Sequence, residues 1–117
     1  MKIIDTHTHL YLNQFKDDID KVIQRSKDKG VNKFIFPAID SSHFDSIHSL
    51  KGKYPDNIYL MSGLHPTDVK ENFKNELEFV VNSLKTHDYV AIGEIGIDLY
   101  WDKSFLIEQQ EAFTFQI

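Results

Sequence analysis

Apolar and polar residues alternate along this chain with two different periods, and the two periods take turns. Four short, nearly continuous apolar runs stand out: "KIIDTH" at the start, "KFIFPAI" from Lys33, "IYLMSGL" from Ile58 and "YVAIGEIGI" from Tyr89. Runs of this length and apolarity read as strands covered on both faces. Between them the apolar residues recur at helical spacing. Phe15, Ile19, Val22 and Ile23 make one helical face that ends near Gly30; Phe44, Ile47, Leu50 and Tyr54 make a second; Leu77, Val80, Val81 and Leu84 make a third. Asp40, Ser41 and Ser42 offer N-caps to the second helix, and Asn75 with Glu78 has capping-box spacing before the third. A fourth helix starts within "KSFLIEQQEAFTFQ".

Strand starts near residues 2, 33, 58 and 89 repeat every 25–30 residues or so, roughly one strand–helix unit. The fold class is therefore α/β with a parallel sheet. Two architectures accommodate it: a four-stranded doubly wound sheet, or half of a (β/α)8 barrel. The helical pattern is still running at "EAFTFQI", without a glycine cap or a terminal Lys or Arg. A whole barrel takes about 250 residues, so four units come to nearly half of one. The expectation is a single, truncated domain over residues 1–117, the N-terminal half of a (β/α)8 TIM barrel. Such a half-sheet has two free edges and an uncovered apolar side. It is expected to continue into a missing C-terminal half or to self-associate.

Chemistry gathers where these apolar runs end. His7 and His9 close the first, His65 follows the third in "GLHP", and Glu94 lies in the fourth. In a parallel sheet the C-terminal ends of all strands share one rim, where α/β proteins build their sites. Residues i and i+2 of a strand point to one face, so His7 and His9 are expected side by side, with Thr8 turned away. Imidazole and carboxylate donors suit Zn, Mn, Fe or Co. Each residue also has a structural reading: a hydrogen-bonded core histidine, a buried salt bridge for Glu94, a turn residue for His65 beside Pro66. Asp5 either orients a ligand or only holds the strand end, and Asp98 and Tyr100 either line the rim or form an Asx turn with a packed Tyr. His43, His48 and His87 are expected on the surface, away from the rim. Gly93 and Gly96 bracket Glu94 and suit close backbone approach, but no G-x-G-x-x-G fingerprint is present.

Composition narrows the setting. There is no cysteine, so a metal can be held only by His, Asp and Glu, and a cytoplasmic location is expected. The net charge of −5 argues against gripping nucleic acid with a basic patch. A phosphate ester remains an allowed substrate, because bound divalent ions reverse the local sign of charge. No run is long and apolar enough to span a membrane.

"DTHTHL", "GLHP" and "GEIGIDLYW", in this order across the chain, resemble the TatD-type metal-dependent deoxyribonuclease family of amidohydrolase-like barrels. The resemblance implies a (β/α)8 barrel that carries one or two divalent ions (Zn, Mg or Mn) and hydrolyses phosphodiester bonds in DNA. It implies that His7 and His9 bind one metal, that Glu94 bridges two, and that His65 lies near the substrate phosphate, so that His65 and Glu94 act in catalysis. The family's two later histidines and late aspartate have no counterpart in this chain, so weak or no activity is expected of these 117 residues. Two other functions compete: an amidohydrolase-like enzyme acting on an amide, lactone or phosphotriester, and a non-catalytic module. In such amidohydrolases a carboxylated lysine commonly bridges the metals where Glu94 stands here, which favours the nuclease-like group.

Overall fold

The computed structural model describes all 117 residues. Four strands, β1 (Ile3–Asp5), β2 (Val31–Phe36), β3 (Ile58–Ser62) and β4 (Ala91–Ile92), alternate with four helices, α1 (Ile19–Asp28), α2 (Phe44–Lys53), α3 (Phe73–Thr86) and α4 (Leu106–Gln116). The strands pair in parallel in the order β1-β2-β3-β4. This sequential order, with the helices on one side, is that of a barrel half; a doubly wound sheet reverses its order and carries helices on both faces. The chain thus folds as the N-terminal half of a (β/α)8 barrel.

Alternation along β2 and β3 explains where the core sits. Phe34, Phe36, Ile58 and Leu60 point to the helical side and are almost wholly buried with Ile23 of α1 and Ile47 of α2. A second cluster, Phe73, Leu77 and Val80 of α3 with Leu64, Val69 and Ala112, docks α3 and α4. Ser83 of α3 is buried as well, and its hydroxyl meets that of Ser62 at 2.9 Å. The alternate residues, Lys33, Ile35 and Tyr59, face the other side, where with Ile4 and Val90 they line an open apolar hollow.

Several elements differ from the expectations. Phe15 lies in a 3-10 turn, and α1 begins only at Ile19. α3 begins at Phe73, two residues before the capping-box position, because burying Phe73 draws the preceding turn into the helix. On its far end Leu84 is exposed. The nine-residue apolar run from Tyr89 yields only a two-residue strand, and both Ala91 and Ile92 are exposed. Tyr89 packs on the core beneath the helices while Val90 lines the open hollow, so apolarity along this run does not mean burial. No helix is long and apolar enough to cross a membrane.

Candidate metal centre

The residues just past β2 hold the site together. Three consecutive carbonyls there each accept a hydrogen bond from a different segment. Pro37 O accepts from the Tyr11 hydroxyl at 2.6 Å. Ala38 O accepts from the Glu94 N–H at 3.2 Å, and Ile39 O accepts from the His65 N–H at 2.8 Å. The Ala38 N–H in turn donates to Gly93 O at 2.9 Å. Chain ends that would otherwise diverge past the sheet are thereby pinned to one strand terminus, and backbone groups that the sheet ladder no longer serves are satisfied.

His7 and His9 lie beyond the end of β1, not within it. Their side-by-side placement survives because the Thr8 N–H still reaches Ile35 O at 3.2 Å, which carries the pairing with β2 past the strand end. Asp5 accepts from the His7 N–H at 3.2 Å, so it holds the strand end and orients no ligand side chain. The rings of His7 and His9 stand edge to face with centroids 5.1 Å apart. Their Nε2 atoms approach to 3.3 Å. Glu94 Oε2 lies 3.0 Å from His7 Nε2 and 3.5 Å from His9 Nε2, while Glu94 Oε1 lies 3.1 Å from His65 Nε2. Glu94 is therefore walled by imidazoles, and not by the apolar residues that flank it in sequence.

Glycines permit the close approach that delivers Glu94. A Cβ on Gly63 would sit 2.8 Å from the backbone carbonyl of Gly93, and one on Gly93 would meet Met61 Sδ at 2.7 Å. Gly96 has nothing within contact range, so of the expected bracketing pair only Gly93 has a packing reason.

The protons can be placed from the hydrogen bonds. His65 Nδ1 accepts from the Thr67 N–H at 3.1 Å. In the neutral ring the proton is then on Nε2, which donates to Glu94 Oε1. His65 thus steadies the carboxylate. His9 and His7 leave Nε2 toward Glu94 Oε2, so two imidazole nitrogens and one carboxylate oxygen converge. Burial, reinforced by the neighbouring His7 ring, lowers the His9 pKa below the ordinary value despite the Glu94 carboxylate, which keeps the ring neutral and fit to donate its lone pair. The His7, His9 and Glu94 donor atoms all lie within 4.8 Å of one another, so the trio could hold a metal ion. The donor set is that of a first-row divalent cation, with no thiolate.

Two residues at this rim escape a sequence reading. Tyr11 is buried, and its hydroxyl lies 2.8 Å from His9 Nδ1. Burial, followed by the nearby Glu94 carboxylate, pushes its phenol pKa well up, so the hydroxyl stays protonated. His43, expected away from the rim, packs edge-on against Tyr11 with centroids 5.7 Å apart, and its Nδ1 lies 2.8 Å from Asp40 Oδ1. Asp40 caps the turn through the Ser42 N–H, and the i, i+3 spacing of Asp40 and His43 on one helical turn is the signal that would have revealed this pair. His48 is part-buried against Phe44, and His87 is exposed. Asp98 does form an Asx turn, accepting from the Tyr100 N–H at 2.9 Å, yet Tyr100 is exposed and stands edge-on to an exposed Trp101.

A family model described as TatD related DNase matches residues 4–117. The uncharacterized metal-dependent hydrolase YabD of Bacillus subtilis (strain 168) is 34% identical over 98% of this chain and 45% of its own length. A 3'-5' ssDNA/RNA exonuclease TatD of Edwardsiella piscicida is 27% identical over 98% of this chain and 44% of its own. The crystal structure of YjjV, a TatD homolog from Escherichia coli K12, superposes with a TM-score of 0.87 at 33% identity, covering 97% of this chain and 44% of that one. The chain spans less than half the length of these relatives.

Proposed function

The chain belongs to the TatD related DNase family, and from that premise we propose that its histidine-rich rim is one side of a metal-dependent phosphodiesterase site acting on DNA. His7, His9 and Glu94 would hold a divalent cation, Zn, Mg or Mn. One observation carries this reading: the His7 and His9 Nε2 atoms and Glu94 Oε2 converge on a single point, with the Nε2 atoms only 3.3 Å apart. Two imidazoles and a carboxylate brought together from two separate segments have no need in folding that an apolar contact would not meet better.

A divalent ion bound there supplies Lewis-acid polarisation of a phosphoryl oxygen. The protein's own groups do the rest of what this rim can do. His65, its Nδ1 occupied by Thr67, keeps an Nε2–H on Glu94 Oε1 and fixes the carboxylate's orientation. His65 is also near enough to this point to meet a substrate phosphate. The uncovered side of the sheet and the free edges of β1 and β4 are closed, in this reading, by further barrel strands, from the same polypeptide or from a second copy. A relative described as a 3'-5' ssDNA/RNA exonuclease supports nucleic acid as the substrate class. We place the protein in the cytosol, which the cysteine-free sequence supports.

The test is metal titration of the purified protein with Zn, Mn and Mg, paired with digestion of end-labelled single-stranded DNA beside a small ester and a phosphotriester. Stoichiometric binding, lost in His9→Ala, is expected of these residues, and chelator-sensitive cleavage of DNA alone is expected once the barrel is closed by its further strands. No binding of any of the three ions would sink the proposal, and turnover of the ester or phosphotriester without DNA cleavage would move the protein to another hydrolase class.

A further inference from the structure

The geometry points to Tyr11 as a positioning residue: it holds His9 in the Nδ1–H tautomer and so presents the Nε2 lone pair to the cation site. This inference rests on reading the His7, His9 and Glu94 cluster as that site.

The hydroxyl proton of Tyr11 decides the tautomer. Tyr11 has one hydroxyl proton, and two acceptor-capable atoms lie near its oxygen: Pro37 O at 2.6 Å and His9 Nδ1 at 2.8 Å. A carbonyl oxygen cannot donate, so the short O···O contact must contain the tyrosine's proton. His9 Nδ1 is then the donor, and its proton points at the tyrosine oxygen. A neutral imidazole with hydrogen on Nδ1 carries its lone pair on Nε2, the atom 3.5 Å from Glu94 Oε2. Tyr11 is only 5% exposed, so water does not compete for the arrangement. Its ring packs against Phe36 and His43, with centroids 5.6 and 5.7 Å away. The partner carbonyl also comes from the segment that pins Glu94, through Ala38 O. One stretch of backbone therefore sets both the His9 tautomer and the position of the carboxylate. His65, three residues past β3, has the opposite tautomer for the opposite task, since Thr67 occupies its Nδ1.

Tyr11→Phe removes a single oxygen and keeps the ring contacts. In nitrogen-15-labelled, metal-free wild-type protein at neutral pH, long-range proton–nitrogen correlation spectra should show His9 with a protonated Nδ1 and a bare Nε2. In Tyr11→Phe the ring should move toward the Nε2–H form, and zinc affinity, read by competition with a chromophoric chelator, should fall about 10–100-fold. A wild-type His9 carrying its proton on Nε2 would overturn the inference, as would a variant in which the tautomer or the zinc affinity is unchanged. If the variant fails to fold, the wild-type spectrum decides. That spectrum uses neither metal nor DNA. Zinc uptake without strand cleavage by the closed barrel would remove the nuclease reading and leave this inference standing, while an Nε2–H His9 would do the reverse.

Discussion

The two faces of this sheet are built from alternate residues of the same strands, and they have opposite fates. Phe34, Phe36, Ile58 and Leu60 are 0–3% exposed beneath α1 and α2. Their neighbours Lys33, Ile35 and Tyr59 are as large, yet they line a hollow that no helix covers. Hydrophobicity is similar on both faces apart from Lys33, whose ammonium lies over the Tyr59 ring at 5.0 Å. What differs is the layer opposite. Stability in this chain is therefore concentrated on one side, and the rim where both faces end is free to carry polar groups that do little for folding.

Truncation on the two faces gives the largest contrast. Phe36→Ala should cost about 3–5 kcal/mol, because the ring is completely buried and its cavity cannot collapse onto two packed helices. Ile35→Ala, one residue away on the open face, should cost less than about 1 kcal/mol. Urea unfolding of the two variants measures both. Equal losses would show that the open face is packed in solution.

Where the faces meet the rim, the effect should be intermediate. Gly63→Ala drives a Cβ to 2.8 Å from the Gly93 backbone, which cannot swing aside, and should cost about 1–3 kcal/mol. Gly93→Ala meets Met61 Sδ, the end of a flexible side chain, and should cost less. A reversed order in thermal melting would mean that the Gly63 and Gly93 chains are not in contact. Zinc binding should weaken in Gly63→Ala, since Glu94 follows Gly93 directly.

Acid should weaken the covered side through His48. Its Nδ1–H donates to Phe44 O at 2.9 Å, and its ring lies against Phe44, His87 and Tyr89. Burial lowers its pKa, the His87 ring adds to this, and the Phe44 carbonyl and Asp45 oppose it. The unfolded chain then binds a proton at higher pH than the folded one. The stability from neutral His48 is complete above about pH 6.5, the unfolded value, and is lost as pH falls through the lowered folded value. His48→Gln should flatten this part of the acid slope in the urea midpoint, by less than either loss above because the ring is partly solvated. An unchanged slope would place the titration elsewhere.

How legible all this was depends on which physical signal each element uses. β2, β3 and the faces of α1 and α2 follow from apolar spacing, since burial by neighbours in this chain selects those residues. β4 does not, because "YVAIGEIGI" mixes Tyr89, which packs on the core, with Val90 on the open side and the exposed Ile92 and Ile97, and spacing cannot say which side is covered. The convergence of His7, His9, His65 and Glu94 could be anticipated because parallel strands share a rim. Tyr11 could not: its role depends on one carbonyl, Pro37 O, that lies 26 residues away in sequence. Gly63 was equally hidden, since its requirement comes from the Gly93 backbone across the sheet.

The smallest expected stability effect is at the residue with the largest expected effect on binding. In Glu94→Gln the amide oxygen can still accept from His65 Nε2–H, and the amide nitrogen can donate to the His9 lone pair that the carboxylate only faces. Folding stability should stay within about 0.5 kcal/mol of wild type. Divalent-ion binding should nevertheless be lost, because the one formal negative charge in the trio of donors is gone. Paired melting curves and zinc titrations of the metal-free protein measure the two quantities together. A large loss of stability would make Glu94 a structural residue that happens to sit among histidines. Retained stability with lost binding would mean that the rim can be stripped of its charge without disturbing the face beneath it, which is the division of labour that the two sides of the sheet imply.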